Sequence, residues 1–515
     1  MLQPQLTRRD LFRLAALAGG GAAAGGLLSA CGADGTAPAS ADIAPNAKIT
    51  FASTTITNSL DPHAALSNTG RSYAVQVYDT LVQFDPGGGG FAPGLATAWK
   101  RVDDTTLELT LREGVTFHEG GAFDAAAVVA NIERLTGDSS GKLTQVKGFL
   151  GAVTKATAVD AKTVRITTGT PDPILLNRLT RVDIVDPSIF ASSTQKASGT
   201  GPFRVTGYTP AQKIELERYA RSWRSTDRVA TATLQAISDP NTLASALRSG
   251  EVDIAFGLGP TQAEQMRGSF GIKATSAGSC AICSMIPAVE PKLADPRVRE
   301  AINLAVNRDE FVAAGLAGYG KPSTGQLLQP GFQGYDSSFG PLPHDIAKAR
   351  QLLKDAGAEN LRLDIATTAI FKSQAETVAG YLGAVGIKSE VQLQELSAFI
   401  GTLLKNSTVP LLYWQTDYFD LRDIASVSRF GPQAAGVQRH FENDEYPALY
   451  TQANKEMDAT RREALIKQMA KLLREQYGVL FLAWPDLVYV HSKRLVEVGL
   501  TGNSLVRLES LGKTA

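Results

Sequence analysis

An α/β fold spread over two or three domains is predicted by three observations. The chain has 515 residues, more than a single hydrophobic core organises economically. From Lys48 onward short period-two stretches alternate with stretches of helical period. Hydrophobic residues make up 43% and charged residues 20% of the chain, the balance of an ordinary globular protein rather than a disordered or polytopic membrane one. Lys+Arg and Asp+Glu are both 51, so no overall positive field exists to draw the chain to nucleic acid. Three cysteines are too few for a disulfide scaffold.

In chain order, Thr7-Arg8-Arg9-Asp10-Leu11-Phe12-Arg13 leads into an uncharged run over residues 14–30, the pattern of an export signal. Five glycines, Gly19, Gly20, Gly21, Gly25 and Gly26, make that run too weakly apolar for a permanent span. The paired arginines resemble a twin-arginine signal. Leu28-Ser29-Ala30-Cys31 resembles a lipobox, which implies diacylation of Cys31 and a lipid-anchored protein in the periplasm or on the outer face of the cell membrane. Residues 33–45, rich in Ala, Gly, Pro and Ser, read as a flexible tether.

Leu107, Leu109 and Leu111, then Val164 and Ile166, then Ile214 and Leu216, sit at alternate positions and predict half-buried strands. Residues 84–93, with four consecutive glycines at 87–90, read as a hairpin tip. Asp295-Pro296 is an N-cap followed by an N1 proline, and Val298, Ala301, Ile302, Ala305 and Val306 continue at helical spacing. A helix is expected over residues 345–356, stopping at Gly357. Residues 361–366, 373–385 and 387–393 read as a βαβ unit with Gly386 ending its helix. Leu465, Ile466, Met469, Leu472 and Leu473 mark a late amphipathic helix.

Enzyme chemistry is sparse. Residues 315–321, Gly-Leu-Ala-Gly-Tyr-Gly-Lys, have the spacing of a phosphate loop, but Pro322 stands where a Ser or Thr is needed. The histidines His63, His118, His344, His440 and His491 are scattered, and no Gly-x-Ser-x-Gly elbow occurs. Cys280 and Cys283 lie in an apparent strand with no second pair, so buried thiols are favoured over a disulfide or a metal site. No catalysis, no cofactor and no metal are expected.

Several ordered motifs carry a resemblance: Leu60-Asp61-Pro62; a helix over residues 73–81 ending Tyr78-Asp79-Thr80-Leu81; Pro93-Gly94-Leu95-Ala96 before Trp99; residues 111–120 with Phe117-His118; Phe123-Asp124; Gly199-Thr200-Gly201-Pro202-Phe203; Tyr219 with Trp223; residues 247–253; and residues 295–302. Together they resemble the extracytoplasmic solute-binding proteins of ABC importers, family 5, which take peptides, nickel chelates or opines. The resemblance implies an α/β fold like the class II periplasmic binding proteins, two lobes with an interlobe cleft plus an inserted smaller domain. It places a signal peptide at 1–30, a tether at 31–45, lobe I at 46–80, 197–278 and 487–515, the small domain at 81–196 and lobe II at 279–486. In it the motif residues are mostly scaffold.

The implied function is capture of peptides and delivery to an ABC permease by a monomer, with import of a nickel chelate, opine or oligosaccharide as the alternative and an exported hydrolase or redox protein behind that. Tyr413-Trp414-Gln415-Thr416-Asp417 resembles the family's Trp-x-x-Asp segment, so Asp417 is the expected partner of a ligand ammonium. Asp417 is alternatively a turn cap. Tyr413 and Trp414 are either cleft walls or core. Asn68 and Gln329 are further ligand candidates by position, with Arg429 and His440 for a ligand carboxylate.

Overall fold

The leucines at 107, 109 and 111 do what their period requires. They lie on one face of the strand Thr106–Leu111, each 3% exposed or less, against Val164 and Ile166 of Thr163–Thr168. These two strands are central in a four-stranded antiparallel sheet, ordered Ala96–Asp103, Thr106–Leu111, Thr163–Thr168, Val153–Asp160. The helix Ala125–Thr136 covers that sheet with Val128 and Ile132, its first turn closed by the Asp124 carboxylate accepting from the Ala127 N–H. This is the inserted smaller domain. The computed structural model describes residues 43–64, 68–85, 90–276, 278–405, 407–416, 443–502 and 504–514.

The two lobes share one twelve-stranded sheet, and the shared member is the strand Leu480–His491. In lobe II its first half pairs with Cys280–Met285 and Gly320–Pro322. Leu411–Thr416, Ile365–Thr367 and Val391–Leu393 follow outward. In lobe I its second half pairs with Gly271–Ser276 and Ile254–Phe256. Ala47–Ser53, Val229–Ala236, Lys213–Arg218 and Phe203–Thr209 extend that side. The chain passes from one half-sheet to the other between Ser276 and Cys280 and again at Pro485-Asp486, so two adjacent strands make the joint. Both faces of each half carry apolar cores.

The local signals in lobe II are met closely. Pro296–Leu304 is a helix with the Asp295 carboxylate accepting from the Arg297 N–H, and Ile346–Asp355 is another with Asp345 accepting from Lys348. Ile365–Thr367 and Val391–Leu393 are parallel, with the helix Lys372–Ala384 between them in sequence. The late helix is Ala459–Glu475, burying Ile466, Met469 and Leu473.

One helix differs from expectation. The helix expected over 73–81 begins earlier and ends earlier, as Asn68–Val77. The reason is tertiary: the Val77 carbonyl accepts from the Gly201 N–H at 2.9 Å instead of continuing the helical ladder. A Cβ on Gly199 or Gly201 would strike that same backbone.

Several of the ordered motif residues, Asp79, Arg112, His118, Gly199, Thr200, Gly201 and Trp223, meet at this point. Asp79, 2% exposed, accepts from Thr200 Oγ1 at 2.7 Å, Trp223 Nε1 at 2.9 Å and Arg224 Nε at 2.7 Å, and Arg224 also pairs with Glu509. The Arg112 guanidinium lies 4.1 Å over the Trp223 ring. His118 Nδ1 accepts from the Gly199 N–H, so its proton sits on Nε2, which donates to the Gly201 carbonyl at 3.0 Å. Burial above all lowers its pKa to about 4, which keeps the ring neutral. Asp61 accepts from Ser193 Oγ and pairs with Arg134. The contacts of Arg112, His118, Arg134 and Ser193 join the small domain to lobe I, while Asp79 ties together lobe I segments far apart in sequence.

Burial by itself raises the Asp79 pKa, but Arg224 and the bonds from Thr200 and Trp223 outweigh it and hold the carboxyl below its ordinary 3.8. Its contribution to stability is therefore full above that value and is lost as pH falls through the lower folded value. Asp79→Ala is expected to cost about 3–5 kcal/mol at neutral pH, because it removes one of the two carboxylates that Arg224 pairs with and leaves the Thr200 and Trp223 donors without their acceptor. Urea titrations of both proteins check this: their difference should shrink on acidification below the ordinary carboxylate range.

Candidate functional site

Strand direction locates the site. The strand Leu480–His491 runs toward the joint in lobe II and away from it in lobe I. In lobe II, Cys280–Met285 is antiparallel to it and Leu411–Thr416 antiparallel to that. Ile365–Thr367 and Val391–Leu393 run with Leu411–Thr416. Their carboxyl ends, Thr367, Leu393 and Thr416, thus all point to the joint. In lobe I, Ile254–Phe256 and Gly271–Ser276 are antiparallel to the second half of the shared strand, and Ala47–Ser53 and Val229–Ala236 run parallel to Ile254–Phe256 and to each other. Ser53, Ala236, Phe256 and Ser276 therefore end at the joint from the other side. Carboxyl ends of strands are where α/β sheets bind ligands, and here two sets converge on one interlobe cleft.

The joint is held by side chains that reach across it in sequence. Gln329 Nε2 donates to the Ser279 carbonyl at 2.6 Å, and Ser276 Oγ donates to Gln329 Oε1. Both ends of that amide are thus committed to the crossing segment. Gly278 has φ +77°, and a Cβ there would meet the Phe332 ring. Trp484 Nε1 donates to the Leu327 carbonyl at 3.3 Å while its ring meets Tyr335 edge-on at 6.0 Å.

The model of the bacterial extracellular solute-binding proteins, family 5 Middle, matches residues 90–433. The chain belongs to this family. A glutathione-binding protein GsiB from Pectobacterium atrosepticum is 27% identical over 479 residues, covering 88% of this chain and 92% of that protein. Among solved structures, DppA from Helicobacter pylori in complex with peptide STSA superposes with a TM-score of 0.77 at 22% identity, covering 92% of this chain and 99% of that one. NikA from Brucella suis in complex with Fe(III)-EDTA gives 0.77 at 24% identity, covering 91% and 100%. The family binds small ligands or peptides outside the cytoplasm and works with ABC permeases.

Within this family 5 fold, the ligand candidates from the sequence fall in different places. Tyr413 and Trp414 are both buried. Tyr413 is fully buried on the face shared with Leu411 and Cys283, where burial pushes its hydroxyl pKa far up and Gln415 Nε2 donates to it. Trp414 lies in the opposite core, 6% exposed, donating Nε1 to Ser284 Oγ at 2.9 Å. Alternation along Leu411–Thr416 sends the two rings to opposite faces, and both faces are covered. Gln329 stands at the joint, bonded as above. Asn68 is the first residue of Asn68–Val77. Asp417, Arg429 and His440 lie outside the described residues, as does Cys31.

Other groups near the strand ends were not singled out by sequence. Thr368, directly after Ile365–Thr367, is 7% exposed, and its hydroxyl has no hydrogen-bond partner among the described residues. Burial raises the pKa of the half-buried Asp486, with Lys321 opposing that shift. Ile370 and Leu396 are 62% and 60% exposed beside the carboxyl ends of Ile365–Thr367 and Val391–Leu393. A lone threonine or isoleucine carries no pattern, so only the tertiary structure marks them. No group of three His, Cys, Asp or Glu placed to hold a metal occurs among the described residues.

Cys280 and Cys283 are both free and buried, on opposite faces of Cys280–Met285. Burial pushes both thiols well above their usual range. Neither is expected to react with a thiol reagent in the native protein, and both should react after denaturation. Ellman titration of the Cys31→Ser protein with and without urea tests this.

Proposed function

We propose that this chain is a lipid-anchored, non-catalytic receptor that captures peptides between its lobes and hands them to an ABC permease. The observation that carries the reading is the convergence of seven strand ends from two lobes on one two-strand joint. A solute in that cleft touches both lobes only when they close, so binding selects the closed arrangement. The peptide class is supported by the similarity to a glutathione-binding protein and to a peptide-bound DppA. Glutathione is itself a modified tripeptide with a free ammonium group.

Asp417 is the proposed ammonium partner. It directly follows Thr416, the last residue of a strand whose carboxyl end faces the joint. A buried ammonium without a counter-charge is costly, so Asp417→Asn is expected to weaken peptide binding by about 3–5 kcal/mol while leaving the melting temperature near wild type. Titration calorimetry on both proteins reads this. Unchanged affinity removes the ammonium role.

The anchor is proposed at Cys31, on the lipobox resemblance of Leu28-Ser29-Ala30-Cys31. Among the described residues no helix is long and apolar enough to cross a membrane. Cys31→Ala should move the protein from the membrane fraction to the released fraction.

Native mass spectrometry of the purified protein, before and after denaturation, tests the substrate class. Released masses spaced like amino-acid residues support a peptide receptor. One discrete non-peptide mass overturns the peptide class and leaves the family unchanged.

A further inference from the structure

The glycine-rich segment over residues 315–321 has phosphate-loop spacing in the sequence and another use in the fold. Its root lies in lobe II, where Leu316 is 1% exposed in the core with Phe311. Its tip lies in lobe I: Tyr319, 6% exposed, packs with Ala263 and Met266 of the helix Pro260–Met266 and with Val488. Ala317 at φ +50° and Gly318 at φ +83° make the tight turn between root and tip.

Three kinds of contact converge there. Tyr319 donates its hydroxyl proton to Glu264 Oε2 at 2.6 Å and accepts from Arg267 Nη2 at 2.8 Å, so one lobe II hydroxyl closes a charged pair on lobe I. The Arg267 guanidinium also lies 5.5 Å from the Tyr319 ring centroid. The backbone grips the joint itself. The Tyr319 carbonyl accepts from the Asp486 N–H, and Gly320–Pro322 pairs with Pro485, Trp484 and Ala483. Gly320, at φ +144°, approaches so closely that a Cβ would lie 2.7 Å from the Trp484 carbonyl oxygen.

We propose that this loop is an interlobe latch and that Tyr319 is the positioning residue that sets the resting angle between the lobes. Rotation about the joint at Pro485-Asp486 carries Tyr319 relative to Glu264 and Arg267. The three-way contact therefore favours the arrangement in which it is made, and its loss redistributes the lobes. This inference rests on the two-lobe fold and is independent of what the cleft binds.

The test uses the full chain without added ligand, in a Cys31→Ser background, with spin labels on cysteines placed at the exposed positions Glu251 of lobe I and Glu359 of lobe II. Pulsed electron resonance reads the interlobe distance distribution. Tyr319→Phe keeps the ring and removes the hydroxyl; it should change the ratio of resting to rotated arrangements by about tenfold, the scale of one lost charged hydrogen bond. Glu264→Gln and Arg267→Gln should shift it in the same direction. Their side chains are 42% and 56% exposed, so these two variants carry the test if Tyr319→Phe folds poorly. A distribution identical to wild type in the folded variants overturns the proposal and leaves Tyr319 as packing alone.

Discussion

Everything in the architecture depends on one twelve-residue strand, Leu480–His491, being hydrogen-bonded into both lobes. Because it is continuous, the two half-sheets have a common direction reference, and every other strand end in that sheet inherits its orientation from the ladder. Pro485 sits where the strand leaves one half-sheet for the other. Proline offers no N–H and fits positions where ladder pairing changes. Gly271–Ser276 and Cys280–Met285 accompany it as the second crossing, with Gln329 bonded to Ser276 and Ser279 on either side of the gap. Two adjacent strands leave rotation as the soft motion of the joint and resist translation.

The small domain is attached by a different physics. Its own core is apolar, and its junction with lobe I combines apolar packing of Val185 and Ile189 with the buried pair of Asp61 and Arg134, while Asp79, Arg224 and Glu509 brace lobe I where the chain leaves and returns. Buried ions of this kind contribute little net energy against apolar packing, yet breaking one is expensive. They therefore act on geometry. Asp79 alone accepts from three donors separated from it by more than a hundred residues in sequence, and this fixes how the chain leaves and re-enters lobe I. That several of the ordered motif residues cluster here explains how they contribute scaffold.

Much of the local structure was legible because the causes are local. Asp295, Asp345 and Asp124 cap helices through their own carboxylates within three residues, and the leucines at 107, 109 and 111 report a period of two on one strand. The βαβ unit was legible for the same reason, through period and the terminating Gly386. The helix ending at Val77 was not, because the group that ends it, the Gly201 N–H, lies far along the chain. Tyr413 and Trp414 show another limit: an aromatic pair looks alike in a core or a cleft wall, and its burial on the two faces of Leu411–Thr416 is set by tertiary packing. The site was least legible of all, since no motif encodes which strand ends face each other.

The sequence by itself determined the alternation of strands and helices, their caps and the family. Only the tertiary structure decided where the cleft lies, that Gln329 is bonded into the joint, and that a loop with phosphate-loop spacing instead reaches from one lobe to the other. The physical reason is range. Periodicity and capping act over a few residues and leave a readable pattern, whereas facing strand ends and interlobe contacts arise from pairings across hundreds of residues that no short window contains.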